Sequence, residues 1–268
     1  MQSVHTNKSF AGSRGGFSKE PLAAGGKLID WKLKLGNFLF KHRSFTPVPL
    51  IILVFIIFRP IDLGKNNAII NLVGLLISLL GEIVRVIAVG YAHKGTSGRE
   101  SYLRADSLNI SGIYSIVRNP LYIGNFFIFT GLVIVFFNIF AVFTFIIFLI
   151  LQYYFVILAE ENFLKEKYGS EYETYCQQVK RIIPTFKSYK KNQNPFNLKK
   201  VIFKESDSVF NMLVMYLFVL LYKERIFSGR ISSPLNYIIP GGILIFAYVM
   251  IKIIKKRGTA KAREETRR

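Results

Sequence analysis

Residues 121–159 read LYIGNFFIFTGLVIVFFNIFAVFTFIIFLILQYYFVILA, two apolar runs that meet at one polar residue, Asn138. Neither run carries a charge, and each approaches the ~20 residues needed to cross a hydrocarbon core. So short a break between two such runs predicts a tight antiparallel helical hairpin in a membrane. Working outward, further apolar blocks occupy residues 48–58, 69–92, 209–222 and 235–254. The first is short and needs Phe45 and residues 61–63 to span; the fifth block is short enough to tilt or lie at an interface. The expected fold class is therefore an all-α membrane protein of about six transmembrane helices.

The formal net charge is +20, and the basic residues sit between the apolar blocks. Eight Lys/Arg precede the first block, ten lie between the fourth and fifth, and eight follow Met250, whereas the alternate loops are poor in them. That asymmetry predicts both termini on the cytoplasmic side, in a bacterial inner membrane or an endoplasmic reticulum. It also assigns the charge to anionic lipid headgroups and argues against a nucleic-acid partner. The single Cys176 allows no internal disulfide, and His5, His42 and His93 lack ligand spacing, so no metal site is expected.

Four segments are expected on this basis. Residues 1–44 form a cytoplasmic tail whose stretch from Trp31 to Phe40 is amphipathic and suited to lying along the membrane surface. Residues 45–190 form a core of four spans with cytoplasmic helices, 191–254 add two spans, and 255–268 form a basic tail. Residues 196–203, with Lys199 and Lys200, read equally well as a surface helix or a basic linker.

Two polar stretches are pressed against spans. In Ser111-Gly112-Ile113-Tyr114-Ser115-Ile116-Val117-Arg118-Asn119-Pro120-Leu121-Tyr122, Pro120 suits the first turn of a helix. Arg118 and Asn119 then stand at a helix N-terminus able to attract an anion; a plain helix start with Arg118 on lipid phosphate accounts for them equally well. The second stretch, Ala159-Glu160-Glu161-Asn162, puts adjacent carboxylates beside hydrocarbon, which is costly unless they are partnered. The helix is expected to run on to Gly169, followed by a second short helix opened by a Ser170/Glu173 capping box. Its apolar face would be Tyr172, Tyr175, Cys176 and Val179. The hairpin brings both stretches to the same membrane face, which predicts a pocket there, capped by the short helices. Within the membrane, Glu82 and Arg85 lie three apart on one helix face and are expected to pair, or to place Arg85 near a substrate headgroup.

The Gly-Ile-Tyr-Ser-Ile-Val-Arg-Asn-Pro-Leu-Tyr-Ile-Gly stretch resembles the isoprenylcysteine carboxyl methyltransferase family when read with the apolar hairpin, Glu-Glu-Asn-Phe-Leu-Lys-Glu-Lys-Tyr-Gly-Ser-Glu-Tyr-Glu-Thr-Tyr and a closing Ile-Pro. That family is related to the phospholipid methyltransferases, and the resemblance covers roughly residues 69–186. It implies S-adenosylmethionine as cofactor. It implies binding by Tyr114, Arg118, Asn119, Pro120, Leu121, Tyr122 and Glu160, with Glu161 adjacent and Leu108 and Asn109 lining the site. Arg85 and Arg118 are the candidate catalytic residues.

Two positions depart from the family pattern. Asn119 stands where a histidine is usual and cannot titrate near neutrality. Val156 stands where eukaryotic members carry a substrate-binding arginine, which loosens the tie to a prenylcysteine. The expected activity is methylation of an amphiphilic or lipid-linked acceptor drawn from the membrane, with a carboxylate favoured. N-methylation of a lipid amine is the alternative within this chemistry, and a non-enzymatic scaffold or small transporter is the alternative outside it.

Overall fold

The structure, a computed structural model, describes residues 24–93, 96 and 102–267; the expected tail up to residue 23 lies outside them. The regular elements among them are all helical. They are α1 (Ala24–His42), α2 (Pro47–Ile57), α3 (Asn67–Tyr91), α4 (Pro120–Phe136), α5 (Ile139–Tyr168), α6 (Ser170–Gln178), α7 (Leu198–Ser228) and α8 (Leu235–Arg267).

The hairpin forms as predicted. Phe137 adopts a left-handed turn conformation, and Asn138 Oδ1 caps α5 by accepting the Phe140 and Ala141 N–H groups, each at 3.1 Å. α5 then runs without a break through Glu160 and Glu161 to Gly169, whose φ of +51° stops it. Ser170 is the first residue of α6 and makes no side-chain cap, so the expected capping box does not form. The predicted apolar face of α6 does pack, with Tyr172, Tyr175 and Val179 buried.

α3 and α4 are the most intimately packed pair, and glycines explain why. Gly74 and Gly81 on α3 oppose Gly131 and Gly124 on α4, both pairs seven residues apart. A Cβ on Gly81 would sit 2.4 Å from Gly124 O, and one on Gly131 would sit 2.3 Å from Gly74 O. Ser78 joins the seam by donating to Ile128 O at 3.0 Å. In lipid there is no hydrophobic drive to associate, so such close backbone approach supplies the packing energy instead.

The expectation of six spans is not reached. Among the described residues, three helical stretches can cross a membrane by length and composition: Gly64–Tyr91, Ile139–Tyr168 and Leu235–Arg257. A fourth results only if α1 and α2, bent by 79°, count as one broken span. α2 has 11 residues, about 16 Å of helix, and residues 59–63 do not extend it. α4 is apolar but has 17 residues, and α7 mixes its apolar run with charged residues such as Lys200, Glu205, Asp207 and Lys223.

Two stretches read as surface segments find neighbours within the fold. α1 docks on α5, with Gly36 against the Phe155 carbonyl and Trp31 5.8 Å from the Phe155 ring. Leu33, Leu35 and Leu39 are half-buried, while Trp31 and Phe38 remain exposed. Residues 196–203 are not a separate surface element: from Leu198 they belong to α7, and Phe196 lies against Gly90. Carbonyls at the end of α3 and just beyond it are met by this segment. Asn197 N donates to Gly90 O at 3.0 Å and Asn194 Nδ2 to Tyr91 O at 3.1 Å. Lys200 Nζ reaches Ala92 O at 2.6 Å and His93 O at 3.3 Å. α8 packs on α7 and leaves Ile238, Ile243, Phe246 and Ile254 exposed.

Candidate active site

The C-terminal end of α3, the start of α4, the later part of α5 and the first half of α7 surround a cavity of about 330 Å³. That is within the usual size of small-ligand sites, roughly 300–1,000 Å³. The loop before α4 and the end of α1 complete its wall through Leu108, Asn109, Phe40 and Arg43. The cavity collects Arg85, Leu108, Asn109, Tyr114, Arg118, Asn119, Pro120, Leu121, Tyr122 and Glu160. Of the binding and catalytic residues expected from the sequence, only Glu161 is not on its wall.

Helical phase separates the two carboxylates. Successive residues on a helix diverge by about 100°, so Glu160 and Glu161 face different surroundings. Glu160 looks into the cavity, where its Oε2 accepts from Tyr122 Oη at 2.6 Å. Glu161 turns towards α6 and the strand of chain that follows it. Its Oε2 accepts Arg181 Nε at 2.9 Å and Nη2 at 2.6 Å. Its Oε1 accepts Arg118 Nε and Nη2 at 3.1 and 3.0 Å, and Asn119 Nδ2 at 3.2 Å.

This changes the reading of Arg118. Its remaining terminal nitrogen, Nη1, donates to Cys176 O at 3.1 Å and Val179 O at 2.9 Å, at the end of α6. The guanidinium thus ties α4, α5 and α6 together. It is not held ready for an incoming anion. Asn119, where a histidine was expected, also donates to Arg181 O at 3.2 Å. An amide does this without titrating. Arg181 was missed in the sequence, where it is one more basic residue in a basic stretch.

Backbone pairing fastens the loop before α4 beneath the chain after α6. Arg118 N donates to Lys180 O, Thr185 N to Ile116 O and Gly112 N to Lys190 O, at 2.8 to 3.0 Å. Gly112 has φ +60°, and an added Cβ would collide with the Asn192 side chain, so glycine is required there. Tyr175 Oη donates to Tyr114 O at 2.7 Å. Burial pushes the Tyr114, Tyr172 and Tyr175 hydroxyls above their usual range, which keeps them neutral donors. Asn109 Oδ1 accepts the His93 N–H at 2.9 Å, fixing the segment that carries Leu108.

Arg85 does not rely on Glu82. Its Nη2 pairs with Glu205 Oε2 of α7 at 2.7 Å, and Nη1 also donates to Asn125 Oδ1. Glu82 Oε1 accepts Ser208 Oγ at 2.6 Å. Both α3 charges are thus met by α7, which contributes Glu205, Ser208, Asn211, Met212 and Met215 to the cavity wall. None of these five was singled out in the sequence, although polar residues three apart at 205, 208 and 211, leading into an apolar run, were a legible signal. Val156 is fully buried in the core, so no charged group takes the place of the family's arginine there.

No curated protein and no solved structure matches the chain. Residues 69–171, from the start of α3 to the start of α6, contain every site residue proposed from the sequence, and they match the model of the phospholipid methyltransferase family.

Proposed function

We propose that the chain is an S-adenosylmethionine-dependent methyltransferase acting on an amphiphilic acceptor at a membrane surface. The observation that carries this reading is the meeting of Glu160 with the Arg118–Tyr122 stretch on one cavity, inside the segment that matches the family. The residues fit the cofactor's chemistry. Glu160, oriented by Tyr122, can accept from a ribose diol or an ammonium, and Tyr114 can offer an aromatic surface to an adenine or a cation. Leu108, Pro120 and Leu121 supply apolar contact, and Asn109 and Asn119 supply polar edges. Bound S-adenosylmethionine supplies a methyl group already activated on a sulfonium. The work left to the chain is to align the acceptor lone pair with that methyl and to exclude water.

The acceptor reading moves towards an amine. A carboxylate was favoured because it needs no base. In the cavity, however, Arg118 and Arg85 are engaged by Glu161 and Glu205, whereas Glu160 on the wall accepts from the neutral Tyr122 hydroxyl. A cationic headgroup suits such a wall better. Before its lone pair can attack, an amine must lose a proton, and a wall carboxylate can accept it. The family description, phospholipid methyltransferase, agrees with a lipid amine. We also place the cavity and both termini on the cytoplasmic side, on the charge distribution alone.

Calorimetry of the full chain in detergent tests the donor. S-adenosylmethionine should bind the wild type, and Glu160→Gln should weaken binding by about tenfold or more. Unchanged affinity in that variant removes the site assignment. Absence of binding by the wild type removes the methyltransferase reading in favour of a scaffold or transporter. Incubation with methyl-labelled cofactor and a total lipid extract then identifies the acceptor.

A further inference from the structure

Between α6 and α7 the chain runs through residues 180–191 as a strap whose polarity is turned inside out. Several of its backbone groups are spent on protein. Lys180 O and Arg181 O accept from Arg118 N and Asn119 Nδ2, Thr185 N donates to Ile116 O, and Lys190 N donates to Ser115 Oγ at 2.8 Å. Its large apolar side chains point the other way: Ile182, Ile183, Phe186 and Tyr189 are 50, 66, 74 and 56% exposed. So many in one short stretch mark a surface that another body covers.

Position and charge identify that body as lipid. The strap is fixed where helices end at one face of the bundle. It holds the backbone of Arg118, two residues before the start of α4. Just beyond it, Asn194 and Asn197 hold the Tyr91 and Gly90 carbonyls at the end of α3, a stretch able to span the membrane. The interfacial layer adds about 5–7 Å to each side of the hydrocarbon, so a segment bonded to those helix ends lies among headgroups. Residues 174–204 hold eight Lys/Arg and no Asp or Glu. Lys187, Lys190 and Lys191 flank Phe186 and Tyr189 and are exposed. Apolar side chains beside flexible cationic tips match an acyl boundary under anionic headgroups. A folded partner would have to be strongly acidic and reach into the same layer.

We propose that residues 180–191 are a docking strap for anionic lipid. Ile183 and Phe186 enter the acyl boundary of the leaflet around α3 and α4, and Lys187, Lys190 and Lys191 meet net-negative headgroups. Each lysine near an anionic surface multiplies the docked population by about fivefold, so the three together make seating depend on anionic lipid. The strap also carries Arg181, a partner of Glu161, and its backbone pairs with the loop before α4. Lipid seated on it bears on the chain that fastens that loop, without entering the cavity. The surface stands whichever reaction the cavity runs.

Moving the chain's single tryptophan tests this. The full chain with Trp31→Phe and Phe186→Trp is reconstituted in nanodiscs of phosphatidylcholine alone, or of phosphatidylcholine and phosphatidylglycerol in equal parts. In the anionic discs the emission should move to shorter wavelength. Lipids brominated near the headgroup end of their chains should quench it at least about twofold more than in the neutral discs. Lys187→Gln, Lys190→Gln and Lys191→Gln combined should bring the anionic discs to the neutral level. Salt at about 1 M, where the screening length falls to about 3 Å, should do the same. Equal quenching in the two discs overturns the proposal: embedded in both, the strap needs no anionic lipid, and exposed in both, it is left to an acidic protein. Quenching retained by the triple variant overturns it too. If that variant fails to fold, the salt series on the unaltered lysines decides.

Discussion

Glu160 and Glu161 are neighbours in sequence with unlike work. Glu160 shares the cavity with Tyr122, whereas Glu161, which is not on the wall, gathers Arg118, Asn119 and Arg181. The two glutamines should therefore fail differently. Glu160→Gln is expected to weaken cofactor binding with little change in melting temperature. Glu161→Gln removes the shared charge from two arginines, a loss of about 3 kcal/mol for a largely buried pair. It should lower the melting temperature and speed amide exchange over residues 176–190; protection unchanged in that stretch would show that the arginines do not need it. The pair itself was legible from its place at the end of an apolar run. Its division of labour was not, because that depends on where the chain after α6 delivers Arg181, a contact with no local sequence signature.

Among elements, the α3–α4 seam is the least forgiving. Gly81→Leu would drive a side chain into the Gly124 carbonyl and Ile128. Overpacking costs about 1–3 kcal/mol even where neighbours can yield, and a backbone carbonyl yields little. The expected outcome is loss of the monodisperse peak in size-exclusion chromatography, while Gly241→Leu, with open space around it, should elute as wild type. The seven-residue spacing of glycines on both helices was visible in the sequence, but a glycine in an apolar run is too common to single out one seam. The hairpin was legible for the opposite reason. Two uncharged runs joined by one asparagine have few other ways to fold in lipid. α7 was misjudged because its apolar middle was weighed without the polar residues that precede it, and those are what dock it.

For the whole molecule, the all-helical membrane architecture followed from hydropathy alone, and the number of crossings did not. Crossing number depends on the 79° break between α1 and α2, and on how a charged α7 sits. Neither is a property of local composition. α8 stands apart from the cavity: Tyr248 Oη and Lys252 Nζ both meet Asp207, at 2.7 and 2.6 Å, and Tyr237 Oη meets Glu224 at 2.6 Å. None of its described side chains lines the site. Deleting residues 235–268 should therefore leave S-adenosylmethionine affinity within about twofold, as expected for distant and independent sites. A larger loss by calorimetry would mean that α8 sets the position of α7.

The end of α3 adds a matter of timing. Its carbonyls at Gly90, Tyr91, Ala92 and His93 find their partners in Asn197, Asn194 and Lys200, 103 or more positions downstream. A ribosome reads the chain from its first residue, so the whole segment 69–171 is synthesised before those partners exist. Until residues 194–200 emerge, the Gly90, Tyr91 and Ala92 carbonyls lack these partners, while His93 O can already accept from Thr96 Oγ1. This end of the pocket is thus fastened by a stretch that lies beyond residues 69–171, and a translational pause before it would hold the protein with that pocket unfinished.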